Sequence, residues 1–240
     1  MAYIFVLAVA LVAGCLSGVI GTGSSIMLLP VLVFAYGPKE AVPIMAVAAV
    51  MSNVSRVVLW WRDLNWRAFL AYSIPGVPAA ALGARTLLAL PTHVVEGALG
   101  IFFLLMVPVR YQLVRLNIRL RLWQLAVAGA FIGFLTGLVL STGPLSVPAF
   151  AAYGLLKGPF LATEAASSLA LYTSKVFAFR ELGALPVTSI VKGLIVGSSL
   201  MAGAIAGKAV VLRMSPGRFH LILDAVMIVS GVSMLWGALR

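Results

Sequence analysis

The sequence is short of charge, and of acidic charge above all. Among its 240 residues there are 6 Asp or Glu and 17 Lys or Arg, so charged residues make up only 10% of the chain. In soluble globular domains about a quarter of the residues are charged. Hydrophobic residues reach 62%, and the mean hydropathy is +1.13. This composition excludes an ordinary soluble domain.

Cysteine and histidine are also scarce. Cys15 is the single cysteine, which excludes an intrachain disulfide and a thiolate metal cluster. The two histidines, His93 and His220, show no metal-type spacing such as H-x-x-x-H. Neither lies close in sequence to the stretches rich in Ser and Thr, and a serine without a partner base is not activated as a nucleophile. We therefore expect no metal site, no cofactor and no enzymatic activity.

The basic residues stand in short islands between long apolar runs. The islands lie at 39–40, 62–67, 110–121, 180–181 and 213–218. The apolar runs between these islands are long enough to cross a bilayer, which takes a helix of about 20 residues. Basic residues flank membrane spans on the cytoplasmic side, which explains the net charge of +11 better than nucleic-acid binding does. We expect an all-α, polytopic helical membrane protein embedded in the lipid bilayer.

Ten helical segments are predicted within one integral membrane domain, 1–240. The segments are 3–20, 24–36, 41–61, 67–90, 93–109, 123–141, 144–156, 160–179, 186–211 and 219–239. A basic cytoplasmic loop over 110–122 joins two halves, 1–109 and 123–240.

The two halves resemble each other at an offset of about 119 residues, as for Gly133 against Gly14. The aligned positions include Gly18 with Gly137, Pro30 with Pro148, Tyr36-Gly37 with Tyr153-Gly154, and Ser55-Arg56-Val57 with Ser174-Lys175-Val176. Their shared order predicts an internal duplication, which is common in transporters. The basic-residue bias favours inverted over parallel repeats, with a re-entrant first segment in each half.

Each half begins with an apolar run that small, hydroxyl-bearing residues interrupt. The interruptions are Gly21, Thr22, Gly23, Ser24 and Ser25 in the first half, and Ser141, Thr142, Gly143 and Pro144 in the second. A broken backbone is tolerated in lipid only where it is buried in protein or lines a polar cavity, and paired breaks point to a transporter's binding site. Helices that start there offer free N–H groups to an anion. The alternative is close helix packing through small residues.

A polar stripe lies on the helix after each interrupted segment. The stripes comprise Ser52, Asn53 and Arg56 in the first half, and Glu164, Ser168, Tyr172 and Lys175 in the second. Ionisable groups within spans usually face the bundle interior or a cavity. The cations Arg56 and Lys175 would attract an anionic substrate or, alternatively, snorkel to the membrane surface. Asn53 and Ser168 would line the site or form hydrogen bonds between helices.

Two acids, Glu164 and Asp224, are seated well inside predicted helices. An intramembrane carboxyl can belong to a proton relay, so either residue is a candidate for proton coupling. The alternative is a structural ion pair, for instance with a lysine such as Lys175 or Lys208.

These motifs resemble the sulfite exporter TauE/SafE family, also called the toluene-sulfonate uptake permease group. The resemblance is carried by the Gly21-x-Gly23 break, Pro30, Tyr36-Gly37, Asn53, Gly83-Ala-Arg85, Ser141-Thr-Gly-Pro144, Pro148 and the helix from Glu164 to Lys175. It implies a bacterial inner-membrane transporter of small sulfur-containing anions or organosulfonates, such as sulfite or thiosulfate. Ser24 and Ser25 depart from the family pattern, which often has glycines there, and they add hydroxyls.

The sequence thus predicts a secondary transporter that binds a small anion where the paired breaks meet near the membrane midplane. Access to that site would alternate by rocking of one repeat against the other. A second hypothesis is a cation or neutral solute bound by unwound carbonyls near Gly21 and Gly23. A third is a membrane scaffold without transport activity, although a scaffold does not need repeated polar breaks.

Overall fold

The computed structural model describes residues 2–20, 24–115, 119–139 and 143–211, together with short pieces between 224 and 238. Within these residues the chain is helical apart from its turns, in agreement with the all-α prediction. The helices are α1 Ala2–Ile20, α2 Ser24–Tyr36, α3 Pro38–Trp60, α4 Trp66–Ala89, α5 Thr92–Arg115, α6 Leu122–Val139, α7 Gly143–Ala152, α8 Lys157–Glu181 and α9 Val187–Val211. A short 3-10 turn, Trp61–Asp63, follows α3. The segment 219–239 is helical wherever it is described.

Two helix ends differ from the prediction by four residues or more, whereas the others agree more closely. The loop expected over 110–122 is wrong in its first part, because α5 continues through Arg115. Pro108 is tolerated inside this helix, and Arg115 in its last turn interacts favourably with the negative end of the helix dipole. The helix α7 ends at Ala152 instead of residue 156, because Gly154 takes a φ of +97°, which is not helical.

Helices of each half pack mainly against helices of the other half. In one set, α4 packs against α6 and α8. In the other, α9 packs against α1 and α3. The first four helices, α1 to α4, can be matched in order with α6 to α9. The contacts of α4 with α6 and α8 then correspond to those of α9 with α1 and α3. The α3 and α8 helices also pack on each other at the centre. The duplication itself stays a prediction, and the packing places both helices with polar stripes between the halves.

Glycines bring two of these helix pairs into close contact. A Cβ atom on Gly133 of α6 would overlap the backbone of Gly76 on α4. At the aligned position of the first half, a Cβ atom on Gly14 of α1 would overlap the backbone of Leu200 on α9. Small residues allow membrane helices to approach this closely. At Gly14 and Gly133, the structure thus favours the packing role.

Among the described residues, one helix, Lys39–Asp63, is long and apolar enough to cross a membrane by length and composition alone. Shorter apolar helices cover Val6–Cys15, His93–Val109, Leu122–Leu138 and Val187–Gly203. The surface carries further information, since Phe34 is 92% exposed and Phe131 is 62% exposed. A surface with many such apolar side chains suits contact with lipid.

Candidate functional site

The two predicted interruptions coincide with helix ends. The α1 helix ends at Ile20 and α2 begins at Ser24, while α6 ends at Val139 and α7 begins at Gly143. The predicted binding residues Gly21, Thr22, Gly23, Ser141 and Thr142 lie outside the described residues. For Ser24, Ser25 and Pro144 the backbone alone is described, and it forms the first turns of α2 and α7.

The first cation of the predicted site, Arg56, is engaged in a buried ion pair. Its Nη1 atom lies 2.7 Å from Oε2 of Glu164, which is 2% exposed, while Arg56 is 14% exposed. Its Nη2 atom donates a hydrogen bond to Oδ1 of Asn53. The amide of Asn53 in turn donates to the carbonyl oxygen of Ala49 at 2.8 Å. The ion pair joins α3 of the first half to α8 of the second.

Two serines complete the surroundings of the Glu164 carboxylate. Ser168 Oγ donates to Oε1 at 2.9 Å from one turn further along α8. Ser146 Oγ lies 3.4 Å from the same oxygen, and Ser146 belongs to the first turn of α7. We call Asn53, Arg56, Ser146, Glu164 and Ser168 the Arg56 cluster. Each carboxylate oxygen has a partner, which is what a buried ion pair requires if it is not to destabilise the fold.

The second cation, Lys175, lies in a separate environment. Its side chain is 0% exposed, and its Nζ atom donates to the carbonyl oxygen of Thr136 at 2.8 Å. The same ammonium lies 5.3 Å from the centre of the Phe179 ring. Thr136 is in the last turn of α6, where the negative end of the helix dipole favours a positive charge. Lys175 therefore holds the end of α6 that borders the second interruption.

The polar side chains on α8 fall into two groups that lie far apart along the helix. Glu164 and Lys175 are 11 residues apart in sequence. At the rise of an α-helix this separates them by about 16 Å along the axis. Tyr172 lies between them, one turn from Lys175, and is 7% exposed. The structure thus brings Asn53, Arg56, Glu164 and Ser168 together and gives Lys175 separate partners further along α8.

The other acid considered for proton coupling, Asp224, is placed elsewhere. Its Oδ2 atom accepts a hydrogen bond of 2.6 Å from the Tyr111 hydroxyl on α5. For Glu164, the partner is Arg56 on the other half of the chain and not the lysine that the sequence offered as an example. Because both oxygens of Glu164 are engaged, the contacts support its structural role over a role in proton coupling.

Sequence reasoning missed three contributors to these contacts: Ser146, the carbonyl of Thr136 and the Phe179 ring. Ser146 lies close to the Ser141-Thr-Gly-Pro144 motif, and its position in the first turn of α7 was a usable signal. A backbone carbonyl and an aromatic ring in an apolar helix carry no signal in the sequence.

A groove of about 470 Å³ lies between α4 and α8, and neither Arg56 nor Lys175 lines it. Arg85 and Glu181, near the ends of these helices, line it together with Val77, Thr173, Ser174 and Phe177. None of the predicted site residues is among the residues that line this groove. The groove therefore does not join the two parts of the polar stripe.

The chain matches the model of a known protein family. The family model described as "Sulfite exporter TauE/SafE" matches residues 6–234, which span both halves and nearly the whole chain. No curated protein and no solved structure matches the chain. The match confirms the resemblance that the sequence motifs indicated.

Proposed function

The chain belongs to the sulfite exporter TauE/SafE family of membrane transporters for sulfur-containing anions, and on that premise we propose that it is a secondary transporter of sulfite, thiosulfate or organosulfonates. It is a multi-pass protein of the bacterial inner membrane. It binds the anion at the paired helix breaks near the midplane and works by alternating access. A transporter family also agrees with the expectation that the protein is not an enzyme.

The observation that carries this proposal is the placement of charge around the second interruption. The helix that enters it, α6, holds the buried Lys175 ammonium at its last turn. The helix that leaves it, α7, contacts the buried carboxylate of Glu164 through Ser146 in its first turn. Charged groups within a membrane domain are costly and usually mark a substrate pathway. Both helices that border residues 140–142 are therefore linked to charges from the interface between the halves.

Two ion pairs connect the halves at opposite ends of α3. Glu40 in the first turn of α3 accepts a hydrogen bond of 2.7 Å from Lys192 on α9. Arg56 pairs with Glu164 on α8, 16 residues further along. That spacing corresponds to about 24 Å along the helix axis. Both pairs are closed in this structure. Rocking of one half against the other has to open at least one of them, so they act as contacts that change during alternating access.

A flux assay in proteoliposomes tests the proposal. We expect the purified protein to move sulfite, thiosulfate or methanesulfonate faster than protein-free liposomes do. Ser24→Leu and Thr142→Leu should each remove most of that flux, because a large apolar side chain fills the polar break. Ser198→Leu, at an exposed serine on α9, is the matched control and should retain the flux.

Three outcomes contradict the proposal. If none of these anions moves or competes, the protein is not an anion transporter of this class. Stabilisation of the solubilised protein by cations alone would favour the cation hypothesis. Full cellular function of both break variants would favour a scaffold without transport activity.

A further inference from the structure

The two aligned cations differ in their charge balance. Arg56 and Lys175 occupy equivalent positions at the offset of 119 residues. Glu164, which neutralises Arg56, has Met45 as its counterpart at the same offset. The duplication thus supplies a carboxylate for the first cation and a thioether at the corresponding position for the second. Met45 is 0% exposed and shares an apolar core with Tyr172 and Phe179, which flank Lys175 on α8.

Each acidic side chain that the structure describes either has another partner or is exposed. Glu40 pairs with Lys192, Glu164 pairs with Arg56, Asp224 accepts from Tyr111, and Asp63 and Glu181 are exposed. Within the described side chains, therefore, no carboxylate forms an ion pair with Lys175. The side chain of Glu96 lies outside the description.

A buried ammonium without a counter-ion is costly. Removing it from water costs several kcal/mol unless an opposite charge or good hydrogen bonds compensate. The end of α6 offers only about half a negative charge. The ammonium has three N–H donors. The hydrogen bond shown for Lys175 goes to Thr136, so the ammonium retains donors for a further acceptor. An oxyanion bound beside the Lys175 ammonium would supply both the missing charge and that acceptor.

We propose that Lys175, and not Arg56, neutralises the transported anion, and that the site consequently selects monoanions over dianions. This inference rests on the proposed function. Arg56 and Glu164 together contribute no net charge, so Lys175 leaves a single positive charge for the substrate. A monoanion such as a sulfonate or hydrogensulfite brings the site to neutrality. A dianion such as sulfate or thiosulfate leaves one uncompensated negative charge in a medium of low dielectric constant.

Competition measures the selectivity. Uptake of radiolabelled methanesulfonate into proteoliposomes is followed with unlabelled methanesulfonate, thiosulfate or sulfate outside. We expect the two dianions to compete at least about tenfold more weakly, because each leaves a buried charge unpaired. Competition by thiosulfate or sulfate equal to that by methanesulfonate would overturn the preference for monoanions.

Variants of Lys175 test the assignment of the residue by binding, independently of flux. Methanesulfonate should raise the melting temperature of the solubilised wild-type protein. Lys175→Met should weaken that binding by about 100-fold, as expected for loss of one partner in a buried charge pair. Lys175→Arg should retain a measurable part of it. Lys39→Met, at an exposed lysine, is the matched control for the loss of a positive charge.

A substitution at Met45 keeps Lys175 in place and tests the same idea if Lys175→Met does not fold. Met45→Glu introduces a carboxylate at the position that corresponds to Glu164, so it should neutralise Lys175 and abolish anion binding. Met45→Gln, which adds polarity without charge, should retain binding.

The outcomes separate the two proposals. Binding that depends on Lys175 without flux would contradict the transport function and leave this assignment standing. Flux and binding that survive both Lys175→Met and Met45→Glu would overturn the assignment and leave transport standing.

Discussion

Arg56 and Glu164 should show a large coupling energy when they are replaced one at a time and then together. Breaking a buried pair by removing one partner typically costs about 3–5 kcal/mol, whereas replacing both partners with apolar residues is often nearly neutral. We expect Arg56→Met to fall at the upper end of that range, because it leaves Glu164 at 2% exposure. We expect Glu164→Met to cost less, because Arg56 is 14% exposed and retains Asn53 as a partner.

A double-mutant cycle measures this coupling. The free energy of unfolding is determined in mixed micelles for the wild type, both single variants and the double methionine variant. The coupling energy should reach at least about 3 kcal/mol, the top of the range for residues in contact, because each single variant leaves a buried charge unpaired and the double variant leaves none. The pair between Glu40 and Lys192 is the matched control, since its side chains are 40% and 22% exposed. Exposed pairs contribute about 0.2–1 kcal/mol. A coupling for Arg56 and Glu164 no larger than that of the control would refute the reasoning.

Two further predictions concern packing and the carboxylate. Gly133→Leu should destabilise the protein by about 1–3 kcal/mol or more in the same unfolding assay, since its side chain would overlap the backbone of α4. Gly97→Ala, where an added Cβ atom meets ordinary contact at 3.7 Å, should have little effect, and equal losses at both sites would contradict the packing described. Ser168→Ala should cost about 1.5–3 kcal/mol, as expected for a hydrogen bond to a charged group, and Ser146→Ala should cost less because its contact is longer. A larger loss at Ser146 than at Ser168 would show that the two contacts are ranked wrongly.

Much of the helical architecture could be predicted from sequence because it depends on local properties. Long apolar runs favour helices in lipid, and interruptions by glycine and hydroxyl residues set helix ends near Ile20 and Val139. The predicted end of α5 was wrong because the prediction of a loop there relied on charge alone. Arginine continues a helix well, and Arg115 is favoured in a last turn.

The sequence also predicted which polar residues share a face of α8, because side chains four residues apart lie on the same side of a helix. It did not predict their partners. Arg56 and Glu164 are 108 residues apart, and nothing local distinguishes Glu164 as the partner of Arg56. The partner of Lys175 is a backbone carbonyl, a group that every residue carries.

The sequence by itself determined that this chain is helical and that its composition suits a membrane, and it predicted an interrupted segment in each half. These properties follow from hydropathy, spacing and helix-breaking residues, which act over one or two helical turns. The tertiary structure decided which of the two aligned cations is neutralised. Packing of α3 against α8 places a carboxylate beside Arg56, whereas Lys175 is buried at the end of α6. Charge compensation depends on distances between helices, and only the folded arrangement of both halves sets those distances.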